Sequence, residues 1–341
     1  MRQPPRFWRS DPSRPGVAAR ALAPLGWAYA AGGALRQRWT RPLRAGVPVI
    51  CVGNATLGGA GKTPVAIALA ARLRARGLCV HILSRGYKGA HKGPPLRVDP
   101  AWHSAGTVGD EPLLLARAAP TWVGRDRVAS AKAAEAAGAE VLVLDDGFQN
   151  PALVKDLTLL VVDGEAGFGN GRVVPAGPLR EPAARALARA DAVVRIGPDT
   201  AGITSRLGAG GCPVLTATLD TDAEGAALAG ERVLAFAGIG RPAKFHATLT
   251  AHGAEVVAFE AFADHHPYTA AEVSRLHARA AAEGLRLVTT EKDAVRLPPE
   301  MRAAVRVLPV RIAWDDPDGL DALLDRVWLD RVWPDGVRLG D

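Results

Sequence analysis

The sequence has few cysteines, and their spacing excludes two kinds of small stabilised domain. Among 341 residues there are only three, Cys51, Cys79 and Cys212, and no two are close in the chain. This spacing indicates neither a disulfide framework nor a zinc site, so we expect a reducing compartment. The sequence also lacks solenoid-type repeats and low-complexity tracts. A chain of this length is expected to form one large or two ordinary domains.

Acidic residues are nearly absent from the first 44 residues. This arm contains nine arginines and a single acid, Asp11, which gives it a local charge of +8. Because the whole chain carries +7, the remaining residues sum to −1. The near-neutral body argues against a general nucleic-acid-binding surface and against a nucleic-acid partner.

The arm also contains an uncharged apolar stretch, "ALAPLGWAYAAGGAL", over residues 21–35. It is shorter than the about 20 residues that a bilayer-spanning helix needs, and no small-residue cleavage site follows at the distance typical of a signal peptide. We expect a helix that lies on an anionic membrane surface, with flanking arginines on the headgroups. The alternative is a helix packed on the body with a solvated basic face. If it crosses, the arginines after it place the body in the cytoplasm.

Continuous apolar runs alternate with helical patterns through the next part of the chain. The runs end at turn residues and predict strands over 47–54, 78–84, 139–147, 157–163 and 190–197. Helical periodicity follows the first run over 63–77 and precedes the last over 181–190. This alternation predicts an α/β domain with a parallel sheet covered on both faces.

A second, smaller α/β unit is expected to begin near Ala229. Strands are predicted over 232–240, 254–262, 285–293 and 305–312, with helices over 242–253 and 269–284. The predicted organisation is therefore a basic arm (1–44), a P-loop domain (45–228) and a smaller α/β domain that contributes to the acceptor site (229–341).

The stretch "TLGGAGKTP" carries the clearest chemical signal, because it joins a predicted strand to a predicted helix. Backbone N–H groups of such a loop cradle phosphate, its lysine reaches the β- and γ-phosphates, and its threonine hydroxyl binds Mg²⁺. The strict pattern has glycine where Thr56 stands. The alternative is a glycine-rich turn with a surface lysine. The predicted nucleotide-binding residues are Thr56, Leu57, Gly58, Gly59, Ala60, Gly61, Lys62 and Thr63.

Two adjacent aspartates, Asp145 and Asp146, end the apolar run "VLVLDDG". A carboxylate at the end of a strand next to the phosphate loop can hold Mg²⁺ directly or through water. The alternative is a helix N-cap, which is a common position for Asp after a strand. We expect a metal site formed by Thr63 and one of the two aspartates.

The chain closely resembles the tetraacyldisaccharide 4′-kinase family. The resemblance is carried, in order, by "VGNATLGGAGKTP", "SRGYKG", "GDEPLLLA", "DDGFQN", "VVPAGPLREP", "AFAGIGRPAKFHATL", "FADHHPYT" and "TTEKDAVRL". It implies transfer of the ATP γ-phosphate to the 4′-hydroxyl of a glycolipid, tetraacyldisaccharide 1-phosphate. It also implies work at the cytoplasmic face of the bacterial inner membrane, and no obligate protein partner is inferred.

Two other classes of P-loop protein share part of this pattern. A switch or partitioning ATPase has the same lysine and strand-end aspartate, but it needs no second domain. A metallochaperone GTPase is expected to have a Cys- or His-rich metal tract, and only "TEKD" at 290–293 imitates its guanine signature.

The resemblance assigns further roles by position. Asp110 matches the family's candidate catalytic base, Glu111 a residue near the metal, and His265 the histidine that pairs with that aspartate. His266 is expected to face the lipid headgroup. Spacing alone favours helix-capping roles for these acids and histidines, since "EPLLLARAA" and the segment from Thr269 look helical.

The remaining predicted site residues are expected to bind the glycolipid or to lie near the nucleotide. Arginine forks suit a sugar phosphate, although each arginine could instead form an ordinary ion pair. The predicted substrate residues are Arg85, Tyr87, Arg127, Gln149, Arg180 and Glu181, and Lys292 is placed near the nucleotide. Two positions depart from the family pattern: Asn150 stands where histidine is usual, and Ala60 where serine or threonine is common.

Overall fold

The computed structural model describes residues 5–207, 211–221 and 225–332. The strands are β1 (Val49–Gly53), β2 (Val80–Ser84), β3 (Leu96–Arg97), β4 (Thr121–Val123), β5 (Val141–Asp145), β6 (Leu157–Asp163), β7 (Ala192–Ile196), β8 (Val214–Asp220), β9 (Arg232–Ala237), β10 (Glu255–Ala261), β11 (Arg286–Thr290), β12 (Arg306–Leu308) and β13 (Arg311–Trp314). The α-helices are α1 (Val17–Ala21), α2 (Ala23–Trp39), α3 (Lys62–Ala75), α4 (Ala105–Val108), α5 (Asp110–Ala118), α6 (Arg127–Ala136), α7 (Ala183–Leu187), α8 (Ile203–Leu207), α9 (Pro242–Ala251), α10 (Ala270–Ala282), α11 (Glu291–Ala294) and α12 (Pro317–Val332). Short 3₁₀ helices cover Arg6–Arg9 and Pro299–Ala304.

Within the described residues, the larger sheet has nine strands in the order β13-β8-β7-β6-β1-β5-β2-β4-β3. The strands pair in parallel except at the two edges, where β3 and β13 are antiparallel to their neighbours. The central strands β1, β2 and β5 are buried along their whole length, because separate apolar clusters cover the two faces. The predicted α/β class with a parallel sheet is confirmed.

The smaller sheet is parallel throughout, in the order β10-β9-β11-β12. Helices α9 and α10 connect its first three strands, as the periodicity predicted, and apolar side chains of these helices complete its core. The capping box of Thr269 and Glu272 fixes the start of α10.

The strand predicted over 305–312 is wrong, because this segment forms two strands in different sheets. β12 pairs with β11 in the smaller sheet, whereas β13 pairs with β8 in the larger one. Pro309 separates them, and its missing N–H cannot donate to a ladder. Helix α12 then buries Leu320 and Leu324 in the core of the larger sheet. Residues 311–332 therefore return to the first unit, and 333–341 lie outside the described residues.

The N-terminal arm packs on the larger unit through one side of its helices. Gly26 of α2 approaches the Val173 backbone so closely that an added Cβ would lie 2.8 Å from its carbonyl oxygen. Arg36 donates to the Gln149 carbonyl at 2.9 Å, and the indole of Trp8 donates to the Pro175 carbonyl at 3.0 Å.

The other side of α2 leaves apolar side chains in solvent. Trp27 is 70% exposed and Trp39 is 74% exposed, and Leu25, Tyr29 and Leu35 are exposed as well. Across the described ranges, none of the helices combines the length and the apolar character that crossing a bilayer requires.

Candidate active site

The phosphate loop lies between β1 and α3, as the sequence predicted. Gly61 adopts φ 88° directly before Lys62, and an added Cβ there would lie 2.5 Å from the Ile196 side chain. Gly58 has φ 116°, and these left-handed conformations favour glycine. Thr63 is the second residue of α3. The helix N-terminus therefore begins at the lysine and threonine of the motif, which is the arrangement that binds phosphate.

Asn54 holds the lysine of this loop and was missed by sequence reasoning. Its side chain is fully buried and accepts a hydrogen bond from Lys62 Nζ at 3.2 Å. Its amide nitrogen is within 3.3 Å of the Thr56 hydroxyl. The only sequence signal was its place at the end of the apolar strand run, where an amide can order the next turn.

A second segment borders the phosphate loop and positions Arg180. The Leu57 N–H donates to the Pro178 carbonyl, and the Arg180 N–H donates to the Ala55 carbonyl, each at 2.7 Å. These bonds extend the loop by a short antiparallel bridge between Thr56 and Leu179. The Arg180 guanidinium is thereby held beside the nucleotide-binding segment.

Asp145 is the residue best suited to hold a cation. It ends β5 next to Val52 of β1, so the prediction of a carboxylate on the strand adjacent to the loop is confirmed. Its Oδ1 atom is buried and has no hydrogen-bond partner in the described residues. Burial, and then the negative charge of Glu111, raise the pKa of Asp145 to about 7. A bound cation would offset both effects, the desolvation and the repulsion from Glu111, and so stabilise the ionised carboxylate.

Asp146 has cationic partners of its own. Arg180 donates to both of its carboxylate oxygens, at 2.8 and 3.1 Å, and Lys62 Nζ is 3.7 Å away. Burial alone would raise the pKa of Asp146, but Lys62 and Arg180 outweigh it and lower the pKa. Asp145 is followed by a turn and not by a helix, so neither aspartate is a helix N-cap.

The donor set fits a hard cation that takes part of its shell from phosphate and water. No group of three metal-ligating side chains occurs among the residues that the structure describes. Mg²⁺ keeps several waters and binds through one or two carboxylates plus substrate phosphates. Asp145 and the Thr63 hydroxyl are therefore the residues that would hold it, with Glu111 nearby.

Asp110 and His265 form a buried pair across the two units. Asp110 is the first residue of α5, and its Oδ2 lies 2.7 Å from His265 Nδ1 of the smaller unit. The two side chains are 3% and 9% exposed. Burial raises the pKa of Asp110, but the His265 hydrogen bond and nearby cations outweigh it and lower the pKa. Gly109, and not Asp110, is the helix N-cap.

Lys292 and Glu111 form a second pair across the seam, with Nζ 3.0 Å from Oε1. Burial alone would lower the pKa of Lys292, but the charges of Glu111 and Asp110 raise it. Glu111 also acts electrostatically on Asp145, and Lys292 acts electrostatically on Asp110. Lys292 therefore belongs to this cluster.

The predicted substrate residues Arg85, Tyr87 and Arg127 differ in their surroundings. Arg85 is exposed directly after β2, and the Tyr87 ring lies edge-on to His265 with centroids 5.7 Å apart. Arg127 is buried and donates to the Gly124 carbonyl at 2.7 Å. Burial lowers the pKa of Arg127 to about 10, and Asp145 and Asp146 oppose that shift.

Gln149 and Glu181 meet beside Arg180, and Arg189 joins them. Gln149 donates to the Asn54 carbonyl at 2.9 Å and to Glu181 at 3.2 Å. Arg189 donates to both Glu181 oxygens, at 2.5 and 2.6 Å. Its guanidinium also lies 4.5 Å from the centre of the Phe148 ring. Sequence reasoning missed Arg189, whose only signal was its place in a short helical run.

Two predicted or divergent positions take local structural roles. His266 bonds Glu272 at 3.0 Å and packs against Phe262 within the smaller unit, so the structure does not bring it to the Asp110–His265 pair. Asn150 accepts a hydrogen bond from the Ala152 N–H at 2.8 Å, which orders the turn after the strand-end aspartates.

Comparison with known proteins places the whole arrangement in one family. The family model described as "Tetraacyldisaccharide-1-P 4'-kinase" matches residues 18–328. A tetraacyldisaccharide 4′-kinase of Rhodospirillum centenum is 60% identical over 94% of this chain and 95% of its own length. The Rhodospirillum rubrum enzyme of the same name is 53% identical over 96% and 98%.

A solved structure has the same fold over nearly its whole length. It is the LpxK of Aquifex aeolicus in complex with ATP, with a TM-score of 0.74 and 28% sequence identity, covering 91% of this chain and 99% of that one. The family match and these relatives extend over both sheets and the site between them. The chain belongs to the tetraacyldisaccharide-1-P 4′-kinase family.

Proposed function

We propose that this chain transfers the γ-phosphate of MgATP to the 4′-hydroxyl of tetraacyldisaccharide 1-phosphate, giving the 1,4′-bisphosphate. The observation that carries the proposal is the buried Asp110–His265 pair, since it joins a carboxylate of the P-loop unit to a histidine of the smaller unit. A nucleotide switch needs no such group at a second domain, whereas transfer to an alcohol needs a proton acceptor.

Each unit contributes a separate part of the reaction. The loop from Thr56 to Thr63 binds the phosphates, with Lys62 at the β- and γ-phosphates. Mg²⁺ bound by Asp145 and Thr63 would neutralise charge on those phosphates. Asp110 accepts the proton of the acceptor hydroxyl, and His265 orients the carboxylate through its Nδ1–H.

The substrate phosphate requires a cation that is accessible from the seam. Arg85 and Tyr87 are both exposed, and the Tyr87 ring lies against His265, so we assign them to the sugar and its 1-phosphate. Arg127, Gln149, Arg180 and Glu181 bond to protein partners, and we assign them to holding the charged groups of the site in place.

The assay that tests the function compares ATP turnover with and without the lipid acceptor. We expect purified protein, MgATP labelled at the γ-phosphate and tetraacyldisaccharide 1-phosphate to yield a labelled bisphosphate lipid. Without acceptor, ATP hydrolysis should be a small fraction of the transfer rate. Hydrolysis at an equal rate with and without lipid would contradict the proposal and favour the switch or partitioning ATPase.

The N-terminal arm supplies a surface for the membrane on which such a lipid resides. Exposed Trp27 and Trp39 lie on the same helix as Arg36 and Arg38. Aromatic and basic side chains together favour the headgroup region of anionic bilayers. We therefore place the protein peripherally on the cytoplasmic face of the inner membrane, with α2 in the interface.

Replacing Trp27 with Glu should weaken this membrane contact without unfolding the protein. Because the indole is 70% exposed, its loss removes buried area only in the membrane-bound state. Sedimentation with vesicles containing anionic lipid should show binding reduced by about 10-fold. Trp102→Glu is the matched control, since that tryptophan is 86% exposed outside the arm. Equal losses for the two variants would contradict the assignment.

A further inference from the structure

A buried arginine, Arg296, connects the two halves of the Asp110–His265 pair. Its side chain is 4% exposed, and its Nε lies 3.5 Å from Asp110 Oδ2. Its terminal nitrogens donate to the His266 carbonyl at 3.1 Å and to the Gly238 carbonyl at 3.0 Å. One guanidinium therefore contacts the carboxylate of the larger unit and the histidine loop of the smaller unit.

The Gly238 carbonyl has a second donor, which is the backbone N–H of His265. The His265 N–H donates to it at 2.9 Å, and His265 adopts φ 62°. A non-glycine residue in this left-handed region costs free energy and persists only where its surroundings hold it. Arg296 bonds the carbonyls on both sides of this conformation, so it helps fix the imidazole beside Asp110.

The arginine is itself held by a buried carboxylate, Asp293. Asp293 is fully buried, and its Oδ1 accepts hydrogen bonds from Arg296 at 2.7 Å, from the Tyr268 hydroxyl at 2.6 Å and from the Gly238 N–H at 2.7 Å. The negative charge offsets that of the guanidinium, which makes burial of the arginine tolerable.

Val295, the residue before Arg296, places Arg296 and Asp293 at the seam between the two units. Val295 is buried against Val108 and Leu113 of the larger unit, so Arg296 cannot shift without disturbing an apolar contact between the units. Its Nε also donates to the Lys292 carbonyl at 2.9 Å, and Lys292 pairs with Glu111. Arg296 therefore contacts both pairs that cross the seam: its Nε lies 3.5 Å from Asp110 Oδ2, and it bonds the backbone of Lys292.

We propose that Arg296 is a positioning residue for phosphoryl transfer, which sets the geometry of Asp110 and His265 by holding the histidine loop against the larger unit. The inference rests on the function proposed above. A planar guanidinium suits this role because it donates in fixed directions to several acceptors at once. Arg296 does not touch the reacting atoms, so it acts only through the pair.

The test is steady-state kinetics on Arg296→Gln with both substrates varied. We expect kcat to fall about 30- to 100-fold, because a small displacement of a catalytic group is costly, while the KM for ATP changes less than about three-fold. Arg302→Gln is the matched control, since within the described residues Arg302 donates to the Leu297 and Val295 carbonyls, and its loss should leave kcat near its original value.

A double-mutant cycle with His265→Ala distinguishes action through the histidine from a purely structural role of Arg296. If Arg296 acts through the histidine, Arg296→Gln should change kcat less than about three-fold in the His265→Ala background. Additive losses would overturn the inference. Failure of the proposed function is distinguishable, because the unmodified protein would then yield no labelled lipid, whereas failure of this inference alone leaves its transfer activity intact.

Arg296→Lys keeps the test decisive if the glutamine variant does not fold. Its ammonium retains the charge beside Asp293 but cannot reproduce the fork that reaches two carbonyls. We expect folded protein with ATP affinity preserved and kcat reduced at least 10-fold. A lysine variant with kcat equal to that of the unmodified protein would refute the positioning role.

Discussion

Asp110→Asn should abolish most lipid phosphorylation while leaving ATP binding nearly unchanged. Asparagine preserves the size of the side chain but cannot accept the proton of the acceptor hydroxyl, so we expect kcat to fall by about 10² to 10⁴. ATP affinity should change little, since Lys62 of the phosphate loop is bonded to Asn54, whereas Asp110 is bonded to His265. Steady-state transfer rates and equilibrium titration with ATP measure the two effects separately.

Two comparison variants give this prediction its contrast. Lys62→Ala removes the cation at the phosphates and should impair both nucleotide affinity and turnover. Asp316→Asn changes an exposed aspartate outside the site and should change neither. If Asp110→Asn retains near-normal turnover, the assignment of the base is wrong, whatever the other variants do.

The parts of the site that the sequence predicted lie on continuous elements of the larger sheet. Strands of a parallel sheet that is covered on both faces are apolar throughout, so the runs that contain β1 and β5 could be recognised from their own composition. Their ends then had to meet at one edge of the sheet, and Val52 is indeed paired with Asp145. The phosphate loop and the strand-end aspartates were thus predictable from local patterns.

The residues that the sequence missed depend on contacts between distant segments. Arg296 lies three residues after the strand predicted over 285–293, and nothing local indicates that its guanidinium reaches Asp110 across the seam. Arg189 likewise gains its role only when Glu181 and Phe148 approach. A buried polar group is specified by its partners, and a single sequence does not show them.

The error at residues 305–312 has a similar cause. The run "VRVLPVRI" has the composition of one strand, and its proline alone does not tell which sheet each half joins. The answer depends on helix α12, whose apolar side chains complete the core of the larger sheet. Because β13 and α12 pack on the larger sheet, the chain passes between the two units a second time.

Asp145→Asn should separate stability from activity at the metal site. Asp145 is buried, its Oδ1 has no hydrogen-bond partner within the described part of the chain, and its charge is opposed by burial and by Glu111. Removing that charge relieves a desolvation cost, so in chelated, metal-free buffer the variant should melt a few degrees higher than the unmodified protein. Turnover with MgATP should nevertheless fall by about 100-fold or more, because the carboxylate proposed to hold Mg²⁺ is lost.

The neighbouring Asp146→Asn variant should change the melting temperature in the opposite direction. Arg180 donates to both Asp146 oxygens, and Lys62 lies nearby, so loss of this charge leaves two cations without their anion. Asparagine tolerates the φ of 55° at this position, and the backbone therefore does not confound the comparison. Thermal melts of both variants, with and without MgATP, decide the matter. If Asp145→Asn lowers the metal-free melting temperature as Asp146→Asn does, then Asp145 is an ordinary paired carboxylate and not the residue that binds the cation.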